Sequence, residues 1–177
     1  MKKITKQNYL TEKRLGEILK QIFPNHQFIH DKQVPNSNIK NRPDYRNDTL
    51  KLIIEFDGHR HYSISKTILN DNLKDYTYKK MGYTVIRIPY FVQISKLTIF
   101  NLFNIKINFT QTYPHGFINI KAMLPADYCE LGIKRFKNDI KTFHYIKNEI
   151  ISSLKNKIKK YKNTKLVLPP SLYYLLQ

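Results

Sequence analysis

A single cysteine, Cys129, stands in 177 residues. That excludes an internal disulfide framework and any zinc site built on several thiolates. No apolar run approaches the roughly 18–20 residues of a membrane-spanning helix, and no signal-peptide apolar segment follows the N-terminus. The expectation is an intracellular protein, neither secreted nor membrane-bound. Acids are also scarce: 13 Asp and Glu stand against 31 Lys and Arg, a formal charge of +18. On an otherwise ordinary apolar content this excess points to a polyanionic partner, nucleic acid ahead of an anionic membrane surface. There is no internal repeat and no low-complexity linker. The length suits one domain with a sizeable core. A composition shift near residue 105 suggests a core over 1–104 and a basic, mostly helical extension over 105–177.

The few acids are not scattered. Residues 50–57, Leu-Lys-Leu-Ile-Ile-Glu-Phe-Asp, read as a buried strand closed by Gly58. Alternation puts Glu55 and Asp57 on one side of that strand and Leu52, Ile54 and Phe56 on the other. Ile53 shares the face of Glu55, which argues against that face being open to solvent. Asp44 follows Pro43 one hairpin away, with the hairpin turn near Asn47-Asp48. Three carboxylates at the end of an apolar strand repel one another unless a cation sits among them.

Mg²⁺ prefers hard oxygen ligands and binds through one or two carboxylates plus waters and substrate phosphates. Asp44 and Glu55 supply two such carboxylates, and Asp57 completes the shell or holds a second ion. A metal there would polarise a phosphodiester and lower the pKa of an attacking water. His61, just past Gly58, is placed to position or deprotonate water, or to donate to a phosphate oxygen. The plainer alternatives are a turn acid after proline for Asp44, an exposed edge-strand face for Glu55, a turn for Asp57-Gly58 and a surface histidine for His61.

The flanking segments supply a setting. Thr11 caps an amphipathic helix over 12–23, with Leu15, Ile18, Leu19, Ile22 and Phe23 at helical spacing and Pro24 as its end. A weak strand follows over 26–34, then a loop at Asn36-Ser37-Asn38. A polar helix over 65–81 ends at Gly82, and a strand over 83–88 ends at Pro89. Helix, three strands, helix, strand describes an α/β fold with a mixed sheet flanked by helices. Beyond it the pattern gives an apolar helix over 90–103, a turn at 113–116, a helix over 125–137 and a long basic helix over 139–162. From Lys134 onward 11 Lys and Arg face 2 acids, a stripe suited to a phosphate backbone. Arg87 either pairs with a core carboxylate or touches phosphate. Cys129 reads as a buried apolar residue rather than a nucleophile.

Pro43-Asp44 followed by Glu55-Phe56-Asp57 resembles the PD-(D/E)XK nuclease superfamily. The stretch Ile54-Glu55-Phe56-Asp57-Gly58-His59-Arg60-His61 is similar to the E-x-D-G-x-x-H signature of a branch related to very-short-patch-repair endonucleases. Glu12-x-x-Leu15-x-x-x-Leu19 looks like that branch's opening helix, and the segment from Asp71 to Ile88 like its closing helix and strand. The resemblance spans roughly residues 10–92. It implies a restriction-endonuclease-like core and Mg²⁺-dependent DNA cleavage, with Mn²⁺ as a substitute ion. It also implies metal ligation by Asp44, Glu55 and Asp57, support from His61, and an acid from the first helix, Glu12 with Glu17 as fallback. One departure stands out, Asp57 in place of the superfamily's lysine, so the missing positive charge falls to a second metal, His61 or Arg60. One such centre cuts one strand at a time, so nicking or double-strand cleavage depends on oligomeric state, with a homodimer as the form that would cut both. The alternative function is a non-catalytic nucleic-acid-binding protein on a nuclease-like scaffold.

Overall fold

The computed structural model describes residues 11–109 and 125–177. The basic residues 1–10 and the turn expected at 113–116 lie outside them. Helix α1, Glu12–Ile22, starts where Thr11 accepts the Arg14 N–H at 3.3 Å and buries Leu15, Ile18, Leu19 and Ile22. Strands β1 (Ile29–His30), β2 (Tyr45–Asn47) and β3 (Leu52–Asp57) form an antiparallel meander. In the β2–β3 turn, Asn47 Oδ1 accepts the Leu50 N–H at 2.7 Å. A short helix α2 (Arg60–Ser63) and helix α3 (Ser65–Lys80) then return the chain to β4 (Thr84–Pro89), which lies parallel to β3. The sheet order is β1-β2-β3-β4. The fold is therefore α/β, a four-stranded mixed sheet flanked by helices, and β3 is an interior strand.

Three segments differ from the sequence expectation. The strand expected over 26–34 shrinks to two residues, and the chain turns away at Asp31, which has φ 46°. The helix expected over 90–103 begins only at Lys96, as α4 (Lys96–Phe103) capped by Ser95. Residues 90–94 instead leave the sheet through a single turn, the Tyr90 N–H donating to Asp57 O and the Val92 N–H to Pro89 O, each at 2.9 Å, and bury Tyr90, Phe91, Val92 and Ile94. The helices expected over 125–137 and 139–162 are α5 (Glu130–Thr142) and α6 (Lys147–Tyr161), so the break between them falls later than the spacing implied. A 3₁₀ turn at His144–Ile146 separates them and sets both Phe143 and Ile146 inward.

The sheet has two unlike faces. Leu52 and Ile54, with Ile88 of β4, join one large core that includes Leu15 and Leu19 of α1, Phe136 of α5, Ile150 and Leu154 of α6, and Leu172. The described residues from 125 onward thus share a core with the sheet. On the other face Ile53 meets Val34, Tyr78 and Tyr83 in a much smaller apolar cluster under α3. Among the described residues no helix is long and apolar enough to cross a membrane.

Helix α5 docks on α2 through a close approach. A Cβ at Gly132 would lie 1.7 Å from the carbonyl oxygen of Tyr62. That oxygen already accepts the Cys129 N–H at 3.1 Å and the Cys129 thiol at 3.3 Å, while Cys129 Sγ caps α5 by accepting the Gly132 N–H. The clash is with backbone and has no flexible side chain to relieve it. Gly132→Ala is expected to cost about 3 kcal/mol or more, seen as a lower urea midpoint for unfolding.

Candidate functional site

The α3-facing side of the sheet carries the charges. On β3, Ile53, Glu55 and Asp57 recur every two residues; on α3, Tyr78, Lys74 and Asp71 recur every three or four. The strand and helix run past each other in opposite senses, so Ile53 meets Tyr78, Glu55 meets Lys74, and Asp57 lies in the cluster of Asp71. All four of the charged side chains in these pairings are buried.

Glu55 sits with Asp44. Tyr45 pairs with Ile54 across the β2–β3 ladder, and carrying that register back one residue sets Asp44 opposite Glu55 on the same face. Asp44 Oδ2 accepts the Phe56 N–H at 2.6 Å, which fixes the carboxylate against the strand. Lys74 Nζ lies 2.7 Å from Glu55 Oε1, a contact-distance ion pair that is off the line of a good hydrogen bond, and donates to the Arg42 carbonyl at 3.3 Å. Tyr78 Oη donates to the Asn41 carbonyl at 3.2 Å, so α3 also holds the loop that delivers Asp44. Burial pushes the Asp44 carboxyl up to about 6, against the Phe56 hydrogen bond and with help from the charge of Glu12. Burial likewise pushes Glu55 up to about 7, against the charges of Lys74 and Arg87 and reinforced by Asp44. One ammonium does not neutralise two carboxylates.

Asp57 has a different environment. Arg87 of β4 reaches its Oδ1 at 2.7 Å, and Arg135 of α5 contacts its Oδ2. Arg135 also holds Asp71 Oδ2 at 2.6 Å, and Arg87 Nε donates to Asp75 at 2.9 Å. The Arg135 guanidinium lies 5.3 Å from the centroid of the Tyr62 ring, whose hydroxyl donates to Asp139 Oδ2 at 2.8 Å. His61 Nδ1 is 2.7 Å from Asp71 Oδ2 and 3.3 Å from Asp57 Oδ1. A carboxylate-held Nδ1 leaves Nε2 as the nitrogen for outside chemistry, on a side chain one-quarter exposed. Burial acts to raise Asp71, but the His61 hydrogen bond and the two arginines overcome it and hold Asp71 down to about 2. Burial pushes Asp139 up to about 7 against Tyr62 and Arg135.

The residues singled out in the sequence therefore divide. Asp44 and Glu55 come together, and Glu55 lies on a buried interior strand. Asp57 and His61 join the arginine-held cluster two residues further along the same face. Among the described residues, Asp57, His61 and Asp71 are the group whose ligand atoms lie within 4.8 Å of one another; Arg87 and Arg135 already supply positive charge to it. Glu12 is close enough to raise Asp44, yet its Oε1 is 2.6 Å from His30 Nε2 on a half-exposed side chain. Glu17 pairs with Arg14 at 2.5 Å on the surface. Arg87 pairs with core carboxylates. Lys74, Asp71, Arg135 and Asp139 were not anticipated. The signal that could have found Lys74 and Asp71 is their three-residue spacing on a helix facing two buried acids. No family model, no curated protein and no solved structure matches the chain.

Two outcomes follow from this electrostatic layout. Arg135→Ala would leave Asp57 and Asp71 buried with one guanidinium between them. It is expected to cost about 3–5 kcal/mol, measured by urea denaturation, whereas Lys134→Ala on the exposed face of the same helix should be near neutral. The raised carboxyls of Asp44, Glu55 and Asp139 keep protons in the folded chain that the unfolded chain has released. Their contribution is fully present below about pH 4 and is lost as pH rises through about 6–7. In EDTA the melting temperature should therefore fall between pH 5 and pH 8 on their account, and Asp139→Asn should flatten that fall.

Proposed function

We propose that this chain is a metal-dependent DNA endonuclease with a restriction-endonuclease-like core, as its likeness to the PD-(D/E)XK superfamily implies. The observation that carries the reading is the pair Asp44–Glu55, a half-buried and a buried carboxylate facing each other across the β2–β3 ladder, with one lysine paired to Glu55 and both pKa values raised. Hard oxygen donors short of positive charge fit Mg²⁺, or Mn²⁺ in its place. Asp44 and Glu55 would hold the ion, and when bound it supplies Lewis-acid polarisation of the phosphodiester and an acidified water.

The chain's own groups have distinct parts. Lys74 Nζ stands beside Glu55 and is placed to stabilise negative charge building on a phosphate oxygen. His61, oriented by Asp71, offers Nε2 for proton transfer to or from water or the leaving oxygen. Asp57 serves this reading by anchoring Arg87 and Arg135 rather than by ligating the ion. Glu12 contributes through its field at Asp44. The exposed lysines of α6 and the following turn, Lys155, Lys159, Lys160, Lys162 and Lys165, supply non-specific backbone contact. Those lysines equally favour the second reading, a nucleic-acid-binding protein without catalysis.

Supercoiled plasmid separates the two. Nicking is expected with Mg²⁺ or Mn²⁺ and none in EDTA. Asp44→Ala, Glu55→Ala and Lys74→Ala should each slow it about 100-fold or more while leaving salt-sensitive plasmid binding intact. Binding without metal-dependent nicking, across linear, supercoiled and single-stranded DNA, would leave the binding protein as the correct reading.

A further inference from the structure

Helix α3 buries two charged residues and leaves three large apolar ones exposed. Ile68, Asp71, Lys74 and Tyr78 are buried, whereas Leu69, Leu73 and Tyr76 are 59%, 50% and 59% exposed. Spacings of four and three put those last three in one row along the helix. Single exposed apolar residues are ordinary, but a contiguous row of large ones marks a surface that meets something. A groove of about 610 Å³ opens beside the row, lined by Arg60, Ile64, Lys66, Leu69 and Leu73 among others.

The charges around this row have one sign. Arg60, Lys66, Lys79 and Lys80 are all exposed, and Lys80 Nζ sits 4.6 Å from the centroid of the Tyr76 ring. The two acids of α3, Asp71 and Asp75, both turn toward Arg87 and away from this face. We infer that the outer face of α3 is a docking surface for an amphipathic helix of an acidic partner protein. The partner would present apolar side chains at three- and four-residue spacing, with Asp or Glu along both flanks. Helix-on-groove recognition reads anchors at these spacings, and basic flanks without any acid select an acidic partner. A second copy of the same face would set its lysines against these lysines with no acid to offset them. Duplex DNA would satisfy the lysines and leave the leucine row facing phosphate. The partner would lie one helix diameter, about 10 Å, from the side of α3 that carries Lys74 and Asp71. The inference does not depend on the reaction proposed above.

The test uses the full chain and two synthetic amphipathic peptide helices with leucines at those spacings, one flanked by glutamates and one by lysines. Fluorescence anisotropy is expected to show binding of the glutamate-flanked peptide only. Leu73→Asp should weaken it about tenfold or more, and Lys66→Glu with Lys79→Glu should exchange the preference to the lysine-flanked peptide. All three positions are exposed, so thermal melts should stay unchanged and exclude misfolding. Absence of binding, or binding that Leu73→Asp leaves untouched, would overturn the inference. So would a concentration-dependent dimer abolished by Leu73→Asp, which assigns the row to a second copy. Loss of plasmid binding in Leu73→Asp would assign it to nucleic acid and overturn the inference as well.

Discussion

Asp57 is gripped from two directions, by Arg87 on the neighbouring strand and by Arg135 on a helix 78 residues further along the chain. Its side chain is 1% exposed, and a carboxylate that deep is tolerated only when charge and hydrogen bonds replace water on both oxygens. Once both guanidiniums are fixed there, the remaining places follow. Arg87 has donors left for Asp75, Arg135 has one left for Asp71, and Asp71 in turn orients His61. The second face of the sheet is accordingly an ion-paired layer with a small apolar cap at the Ile53 and Tyr78 end. The same requirement binds the C-terminal segment to the sheet. Gly132 lets α5 approach α2, and Arg135, three residues on, enters the cluster that this approach brings within reach.

Two residues along the strand the charge balance changes. Asp57 faces two guanidiniums, whereas Glu55 faces one ammonium at a poor hydrogen-bond angle and a second acid across the ladder. The three acids that look alike in the sequence are thus neutralised unequally. The shortage of positive charge rests on Asp44 and Glu55, whose pKa values are raised chiefly by burial and further by their neighbouring acids. A protein can retain such an imbalance by protonating, by opening to water or by holding a cation.

Much of the fold could be read because apolar spacing reports it directly. The α1 stripe, the two faces of β3, the return through a helix to a parallel strand and the burial of Glu55 beside Ile53 all follow from periods of 3.6 and 2. The misses have two physical causes. Where apolar residues are continuous, as at 90–94, hydropathy does not distinguish a helix from a turn and irregular chain packed on the core. Where the partner is distant, as Arg135 is from Asp57, no local pattern pairs them. Cys129 illustrates a smaller version: its thiol caps α5, a role that residue type alone does not reveal.

Helix α3 buries Asp71 and Lys74 while leaving Leu69 and Leu73 exposed, and magnitudes account for that choice. Rotating the helix to bury Leu69 and Leu73 would gain about 1.5–3 kcal/mol for each leucine. It would also withdraw Lys74 from Glu55 and Asp71 from the Arg87–Arg135 cluster. Breaking a buried ion pair by removing one partner costs about 3–5 kcal/mol each time, and the sheet and α5 together present at least two such pairings to α3. The electrostatic loss exceeds the apolar gain, so the helix settles with its charges inside. The leucine row is therefore exposed as a consequence of the charges on β3, and the acids of that one strand determine both the character of the buried face and what the opposite surface of α3 has to offer.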